Sequence, residues 1–74
     1  SSFRRIEYFL SVAKHLNFTK AARECFVAQA AISQQIKQFE EELGFKLVER
    51  GGGSVKLTPA GAIFSRQCQS ILSQ

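Results

Sequence analysis

A short segment in the middle of the chain carries hydrogen-bonding side chains and little charge. Ser33, Gln34 and Lys37 share one side of a helix when each residue is given about 100° of rotation, and Gln29 stands at its start. Amide and hydroxyl groups donate to and accept from the edges of nucleobases, and a lysine can neutralise a phosphate. This pattern predicts contact with a nucleic acid.

The same helix has small residues on its polar side and an apolar opposite side. Ala30 and Ala31 are small enough to allow a duplex to approach closely. The apolar side is predicted to pack on a core. Its members are Ile32, Ile36, Phe39 and Leu43.

The acidic residues of this helix are confined to its end. A phosphate backbone would repel Glu40, Glu41 and Glu42, whereas the preceding turns contain no carboxylate. An end-on approach is therefore predicted, in which the first turns of the helix enter the major groove of a duplex. The glutamates at the end of the helix are expected to stay clear of the DNA.

Composition limits the functions open to the chain. A chain of 74 residues forms one domain with a modest core, which leaves little room for a large catalytic cleft. His15 has no evident carboxylate pair on its face, and Cys25 and Cys68 match no short-spaced metal or redox motif. We expect no enzyme activity, no metal and no cofactor. Because no apolar run is long enough to span a membrane, we expect a cytoplasmic protein.

Charge is distributed unevenly along the chain. The formal net charge is +4, which allows a polyanionic partner. Residues 1–37 contain six bases and two glutamates, whereas residues 38–50 contain four glutamates and two bases. Lys20 and Arg23 stand beside a predicted turn, where we expect them to contact phosphates.

Two further helices are predicted before this segment. Apolar residues at spacings of three and four predict a first helix over about 2–16. The stretch FTKAARECF predicts a short second helix, capped by Asn17 or Thr19. The third helix then runs over about 29–43 and ends at Gly44, a residue that readily takes the left-handed conformation.

The rest of the chain predicts a hairpin and a fourth helix. KLVER and VKL flank GGGS, which indicates two short strands joined by a glycine turn, because a phosphate-binding loop would need a lysine that GGGS lacks. Thr58 and Pro59 are start signals of a fourth helix. The apolar face of this helix continues to the end of the sequence, so we expect a coiled-coil-like partner helix. The expected contacts are Phe64, Cys68 and Ile71.

Several short motifs are more specific than this pattern. They follow one another over nearly the whole chain and are YF..VA, NFTKAA, the segment 29–36, EEELG, L.ER and LT.AG. In order and spacing they resemble the N-terminal DNA-binding domain of LysR-type transcriptional regulators. The resemblance implies a mainly α fold: a winged helix-turn-helix with a three-helix core, a two-stranded wing and a C-terminal linker helix. It places the DNA-binding domain at 1–58, with the helix-turn-helix at about 18–37 and the wing at about 47–57, and a truncated linker helix at 59–74.

The resemblance also implies roles for particular residues. The base-reading positions of the family correspond to Gln29, Ala30, Ser33 and Gln34. Contacts with the DNA backbone are expected from Thr19 and Lys20. Contacts with the flanking groove are expected from Arg50 and the wing tip at Gly52 and Gly53. Such regulators bind a pseudo-palindromic operator as homodimers or higher oligomers, and they sense a small molecule through a C-terminal domain that lies outside this sequence.

Four positions depart from residues that are common in the family. Ser at 28, Pro at 30, Arg at 34 and a basic residue near 53 are common there, whereas this chain has Ala28, Ala30, Gln34 and Gly53. The missing Ser cap costs the helix about 1 kcal/mol. Gln34 in place of Arg removes a guanine contact and suits adenine. We therefore expect weaker phosphate attraction than usual and a site read partly through A·T pairs.

Two functions remain open on the sequence. The favoured one is sequence-specific binding of double-stranded DNA, with the third helix in the major groove and the wing on the flanking groove. The alternative is a helical protein-docking or dimerisation module without DNA affinity. The basic turn region favours the first function, and the uncharged wing favours the second. Binding to phosphates weakens steeply with salt, so salt dependence separates the two.

Overall fold

The elements follow one another in the order that the sequence predicts. A computed structural model describes residues 2–73. Its elements are α1 (Ser2–His15), α2 (Phe18–Cys25), α3 (Gln29–Leu43), β1 (Val48–Gly51), β2 (Ser54–Leu57) and α4 (Pro59–Leu72). The mainly α fold with a three-helix core, a two-stranded wing and a following helix is confirmed. Within residues 2–73, no helix has the length and apolarity needed to cross a membrane.

Local signals at the helix ends set these bounds. Of the two candidate caps of α2, Asn17 is the one used, because its side chain accepts a hydrogen bond from the backbone N–H of Lys20 at 2.8 Å. Thr58 caps α4 in the same way, accepting from the N–H of Gly61 at 2.8 Å. Gly44 ends α3 with a φ of 84°. Ala28 precedes α3 without any side-chain hydrogen bond, as expected from its methyl group.

All four helices contribute to one core beneath the wing. Among the described residues, the largest side chains with no exposed surface are Phe9, Val12, Ile32, Ile36 and Leu47. The ring of Phe64 joins α4 to this core, because its centroid lies 5.8 Å from that of Phe9 and 5.6 Å from that of Phe39. The fourth helix therefore belongs to the packed domain and is not a free extension of it.

This packing changes the expectation for the face of α4. Phe64 lies half-buried in the aromatic cluster, and Cys68 is only 3% exposed, so both side chains are directed into the domain's own core. Ile71 is 66% exposed, and Ile63 and Leu72 are exposed as well. The large apolar side chains that α4 exposes to a partner are thus Ile63, Ile71 and Leu72, because Phe64 and Cys68 pack into the core of the domain.

The wing is a tight antiparallel hairpin anchored at its base. Val48 pairs with Leu57 and Gly51 with Ser54, and Gly52 and Gly53 form the turn with φ values of 56° and 78°. At the base, the N–H of Thr58 donates to the carbonyl of Leu47 at 3.0 Å. A Cβ atom at Gly61 would lie only 2.1 Å from that carbonyl oxygen, so the first turn of α4 approaches the wing closely because position 61 lacks a side chain.

Candidate nucleic-acid interface

The first turns of α3 are the exposed part of that helix. Gln29, Ala30, Ala31 and Gln34 are exposed and Ser33 is half-buried, while the helix is held from below by the buried side chain of Ile32. The structure thus leaves the polar groups of the predicted reading residues available at the surface. Amide groups without an internal partner are free to pair with the edges of bases.

Gln29 is oriented by a contact with the start of α2. The hydroxyl of Thr19 donates to Oε1 of Gln29 at 3.2 Å. One acceptor position of the amide is therefore engaged, whereas its NH₂ group makes no hydrogen bond to the described residues. This arrangement aims a donor outward, where acceptor atoms such as N7 and O6 of guanine or N7 of adenine can receive it.

The basic residues of α2 lie on the exterior beside these groups. Lys20 and Arg23 are both exposed, the first near the start of α2 and the second in its last turn. Neither of them lines the grooves described below, so their contacts with a phosphate would be made from the open surface. The chain then turns at Phe26, which is 94% exposed and has a φ of 60°.

Arg50 is held on the inner side of the wing. Its guanidinium carbon lies 4.0 Å from the centre of the Phe18 ring, a cation–π geometry that restricts a flexible side chain. A groove of about 290 Å³ separates the start of α2 from the wing, and Thr19, Gln29, Arg50 and Gly53 all line it. The structure therefore brings together residues of α2, α3 and the wing that are up to 34 positions apart in the sequence.

A second groove runs between α3 and the wing. Its volume is about 960 Å³, and it contains two candidate residues of α3, Ser33 and Lys37, together with Arg50. It also contains Lys46 and Lys56, which are not among the residues predicted to bind DNA. The signal that could have found them is their basic character within KLVER and VKL, the segments predicted to form the hairpin.

Glu40, at the end of α3, is a buried carboxylate. It is only 8% exposed, and its Oε2 accepts hydrogen bonds from the N–H groups of Leu47 at 2.8 Å and Val48 at 3.2 Å. A carboxylate placed in this way satisfies two buried donors at the base of the wing. Glu40 therefore anchors the base of the wing to α3.

Glu42 is also engaged, whereas Glu41 is not. Arg5 of α1 donates two hydrogen bonds to the Glu42 carboxylate, and its guanidinium carbon lies 5.1 Å from the centre of the Phe39 ring. The hydrogen bond raises the pKa of Arg5 and lowers that of Glu42. Within residues 2–73, Glu41 is the one carboxylate of the three without a hydrogen-bond or ion-pair partner.

A polar cluster holds α2 against α1. Glu24 accepts a hydrogen bond from the hydroxyl of Ser11 at 2.6 Å and from Lys14 Nζ at 2.9 Å, and Nε2 of His15 lies 3.2 Å from it. These contacts, led by the Ser11 hydrogen bond, lower the pKa of Glu24 from 4.5 to about 2. The cluster fixes the helix that carries Thr19 and Lys20.

The sequence was compared with protein families and with curated proteins. Residues 3–62 match the family model described as bacterial regulatory helix-turn-helix protein, lysR family. The HTH-type transcriptional regulator AlsR of Bacillus subtilis (strain 168) is 48% identical over 71 residues, which are 96% of this chain and 24% of AlsR. The chain therefore spans about a quarter of the length of this relative.

Solved structures resemble this domain as well. The crystal structure of a BenM_DBD/benA site 1 DNA complex superposes with a TM-score of 0.90 at 44% identity, covering 95% of this chain and 79% of that one. BenM is an HTH-type transcriptional regulator of Acinetobacter baylyi. A CbnR_DBD–DNA complex gives a TM-score of 0.90 at 37% identity, covering 96% of this chain and 82% of that one. Both similar structures contain DNA.

Proposed function

The chain belongs to the LysR family of bacterial regulatory helix-turn-helix proteins, and from this premise we propose that it binds double-stranded DNA in a sequence-specific manner. It acts as the DNA-binding domain of a transcription regulator, in the bacterial cytoplasm where the chromosome is found. The observation that carries the proposal is the exposure of the first turns of α3, where the NH₂ group of Gln29 and the amide of Gln34 have no hydrogen-bond partner among the described residues.

The start of α3 enters the major groove. Gln29 presents its NH₂ group to a base, because Thr19 engages its oxygen. Ser33 and Gln34 read neighbouring pairs, and the methyl groups of Ala30 and Ala31 permit close approach or contact a thymine methyl. With Gln34 in place of an arginine, the site includes A·T pairs.

Contacts with the DNA backbone surround this reading surface. Lys20 and Arg23 approach phosphates from the exposed side of α2, and Lys37 does so from α3. Arg50 and the wing tip, Gly52 and Gly53, lie on the flanking groove. Because the tip has no charged side chain, it contributes shape and backbone N–H groups but no electrostatic attraction.

The intact regulator uses two copies of this domain. A homodimer places two recognition helices about 34 Å apart on one face of a pseudo-palindromic operator. We assign residues 1–58 to the DNA-binding domain, and α4, which packs on the core of that domain through Phe64, is the start of a linker helix that joins the copies. Of the three predicted dimer contacts, Phe64, Cys68 and Ile71, Ile71 is the one that remains exposed. Ile63 is also exposed and extends the same apolar area. A C-terminal domain senses the small-molecule effector.

Selection from a random pool of duplexes tests the proposal. The domain is expected to enrich one preferred sequence that includes A·T pairs. Its affinity for that duplex should fall steeply between about 50 and 200 mM salt, because several phosphate contacts release counterions. Failure to bind any duplex would refute the function, and binding that ignores salt would indicate a protein-docking module. Tightest binding to guanine at every contacted pair would refute the A·T reading.

A further inference from the structure

The groove between α3 and the wing carries more positive than negative charge. Its cations come from separate elements: Lys37 from α3, Lys46 from the loop before β1, Arg50 from β1 and Lys56 from β2. The carboxylates that line it are those of Glu40 and Glu49. The tertiary structure therefore gathers four cations along one open channel of about 960 Å³.

The carboxylates do not cancel this charge. Glu40 is buried, and its Oε2 is used by two backbone N–H groups of the wing base. Lys46 lies 4.0 Å from the other oxygen of Glu40 and is 75% exposed, so its ammonium group stays in the solvent. Among the described residues, neither Lys56 nor Glu49 has an ion-pair partner within 4.0 Å, although they face each other across the hairpin.

The position of the groove determines what can occupy it. If the start of α3 lies in the major groove and the wing lies on the flanking groove, the two are separated by one sugar–phosphate strand, because a single strand divides adjacent grooves of a duplex. That strand must pass between α3 and the wing. We propose that this channel holds the strand, and that Lys46 and Lys56 are phosphate contacts of the domain. This inference rests on the proposed function.

The channel also compensates for the uncharged wing tip. A basic side chain at the tip would contact the backbone beyond the wing, whereas Lys46 and Lys56 contact it at the base and along the second strand. The charge needed for affinity is thus supplied from the base of the wing and from its second strand. Because phosphates carry no base identity, these lysines contribute affinity and orientation without changing the preferred sequence.

Salt titration of lysine variants tests the assignment. Lys46→Gln and Lys56→Gln are compared with the unchanged domain on the duplex preferred in the selection. Each substitution should reduce the slope of log K against log salt by about 0.9 per bound copy, which corresponds to a roughly 8-fold loss of affinity at about 0.1 M salt. The preferred sequence should not change. Arg4→Gln is the control, because Arg4 is exposed and lines a different groove, between α1, α2 and α4.

A substitution that removes a negative charge from the channel should have the opposite effect on affinity. Glu49→Gln removes the exposed carboxylate of the channel, so it should strengthen binding roughly 2-fold to 3-fold at low salt. If this part of the hairpin had only a structural role, the two lysine substitutions would not weaken DNA binding while Glu49→Gln strengthened it. Circular dichroism of each variant establishes that the fold is retained.

The outcomes separate this inference from the function on which it rests. Unchanged slopes for both lysine variants, with steep salt dependence in the unchanged domain, would overturn the channel and leave DNA binding intact. Losses that are equal in Arg4→Gln would also overturn it, because the effect would then reflect net charge alone. If the unchanged domain binds no duplex, the function itself fails and the inference with it.

Discussion

The two ends of α3 differ in what surrounds them. The first turns leave Gln29, Ala30 and Gln34 exposed, and they follow Ala28, which provides no side-chain cap. The last turns contain the buried residues Phe39 and Glu40, and the Glu40 carboxylate bonds to the base of the wing. The exposed polar groups at the start of the helix therefore keep most of their hydrogen-bonding capacity free, whereas Glu40 and Glu42 at its end are bonded to other elements.

This difference shows how a small domain can present a reading surface. A donor or acceptor group that will bind a base must not already have an internal partner, so the start of α3 gains little stability from these groups. The position of that start is then determined by contacts made elsewhere. These contacts are made by Glu40, by the Arg5–Glu42 pair and by the core residues Ile32 and Ile36.

The largest expected effect concerns the anchored end. Glu40→Ala should lower the free energy of unfolding by about 3 kcal/mol, because two buried N–H groups lose a charged acceptor. Urea denaturation monitored by circular dichroism measures this change. Glu41→Ala is the matched control, since Glu41 is exposed and should change the stability by less than about 0.5 kcal/mol. Equal effects of the two substitutions would remove the distinction between the ends.

The next effect concerns the reading end and should appear in binding, not in stability. Gln29→Ala should weaken binding to the preferred duplex by about 1–3 kcal/mol and relax selectivity at one base pair. Fluorescence anisotropy with a series of substituted duplexes measures both quantities. Gln38→Ala provides the comparison, because it removes the same amide from the other half of α3. A loss of selectivity in Gln38→Ala but not in Gln29→Ala would reverse the assignment of the two halves.

A third effect tests whether the start of α3 lacks stability. Ala28→Ser supplies a hydroxyl at a position with φ −71° and ψ 147°, from which it can accept from a free N–H of the first turn. Thermal unfolding should show a gain of about 1 kcal/mol. Ala31→Ser places the same hydroxyl inside the helix, where it should stabilise nothing. A gain in Ala31→Ser equal to that in Ala28→Ser would contradict a capping mechanism.

The smallest effect concerns the support of α2, and it depends on pH. The pKa of Glu24 is lowered to about 2, so its ionised form stabilises the fold fully above about pH 4.5, and this contribution is lost as the pH falls toward about 2. Glu24→Gln should therefore flatten the decline of stability in this window. Denaturant titrations at several pH values measure it, with Glu41→Gln as the control. An unchanged pH profile in Glu24→Gln would show that the cluster does not hold α2.

Much of the fold was predictable because its signals are local. Asn17, Gly44 and Thr58 act on backbone groups within four residues of themselves, and the hairpin turn depends on adjacent glycines. The exposure of the proposed reading residues was predictable for a similar reason, since helical periodicity assigns a residue to a face. The spacing of the motifs then identified the family, which the match over residues 3–62 confirms.

Only the tertiary structure determines which residues that are far apart in the sequence come into contact. The sequence could not predict that Glu40 bonds to the base of the wing. Its partners are backbone N–H groups seven and eight positions away, and the sequence does not determine how the chain between them turns back. Nor could it direct Phe64 and Cys68 inward, since an amphipathic helix does not reveal which neighbour covers its apolar face. The channel of Lys46 and Lys56 exists only once the hairpin folds against α3. Periodicity specifies a face of each element, and only packing in three dimensions determines what that face meets.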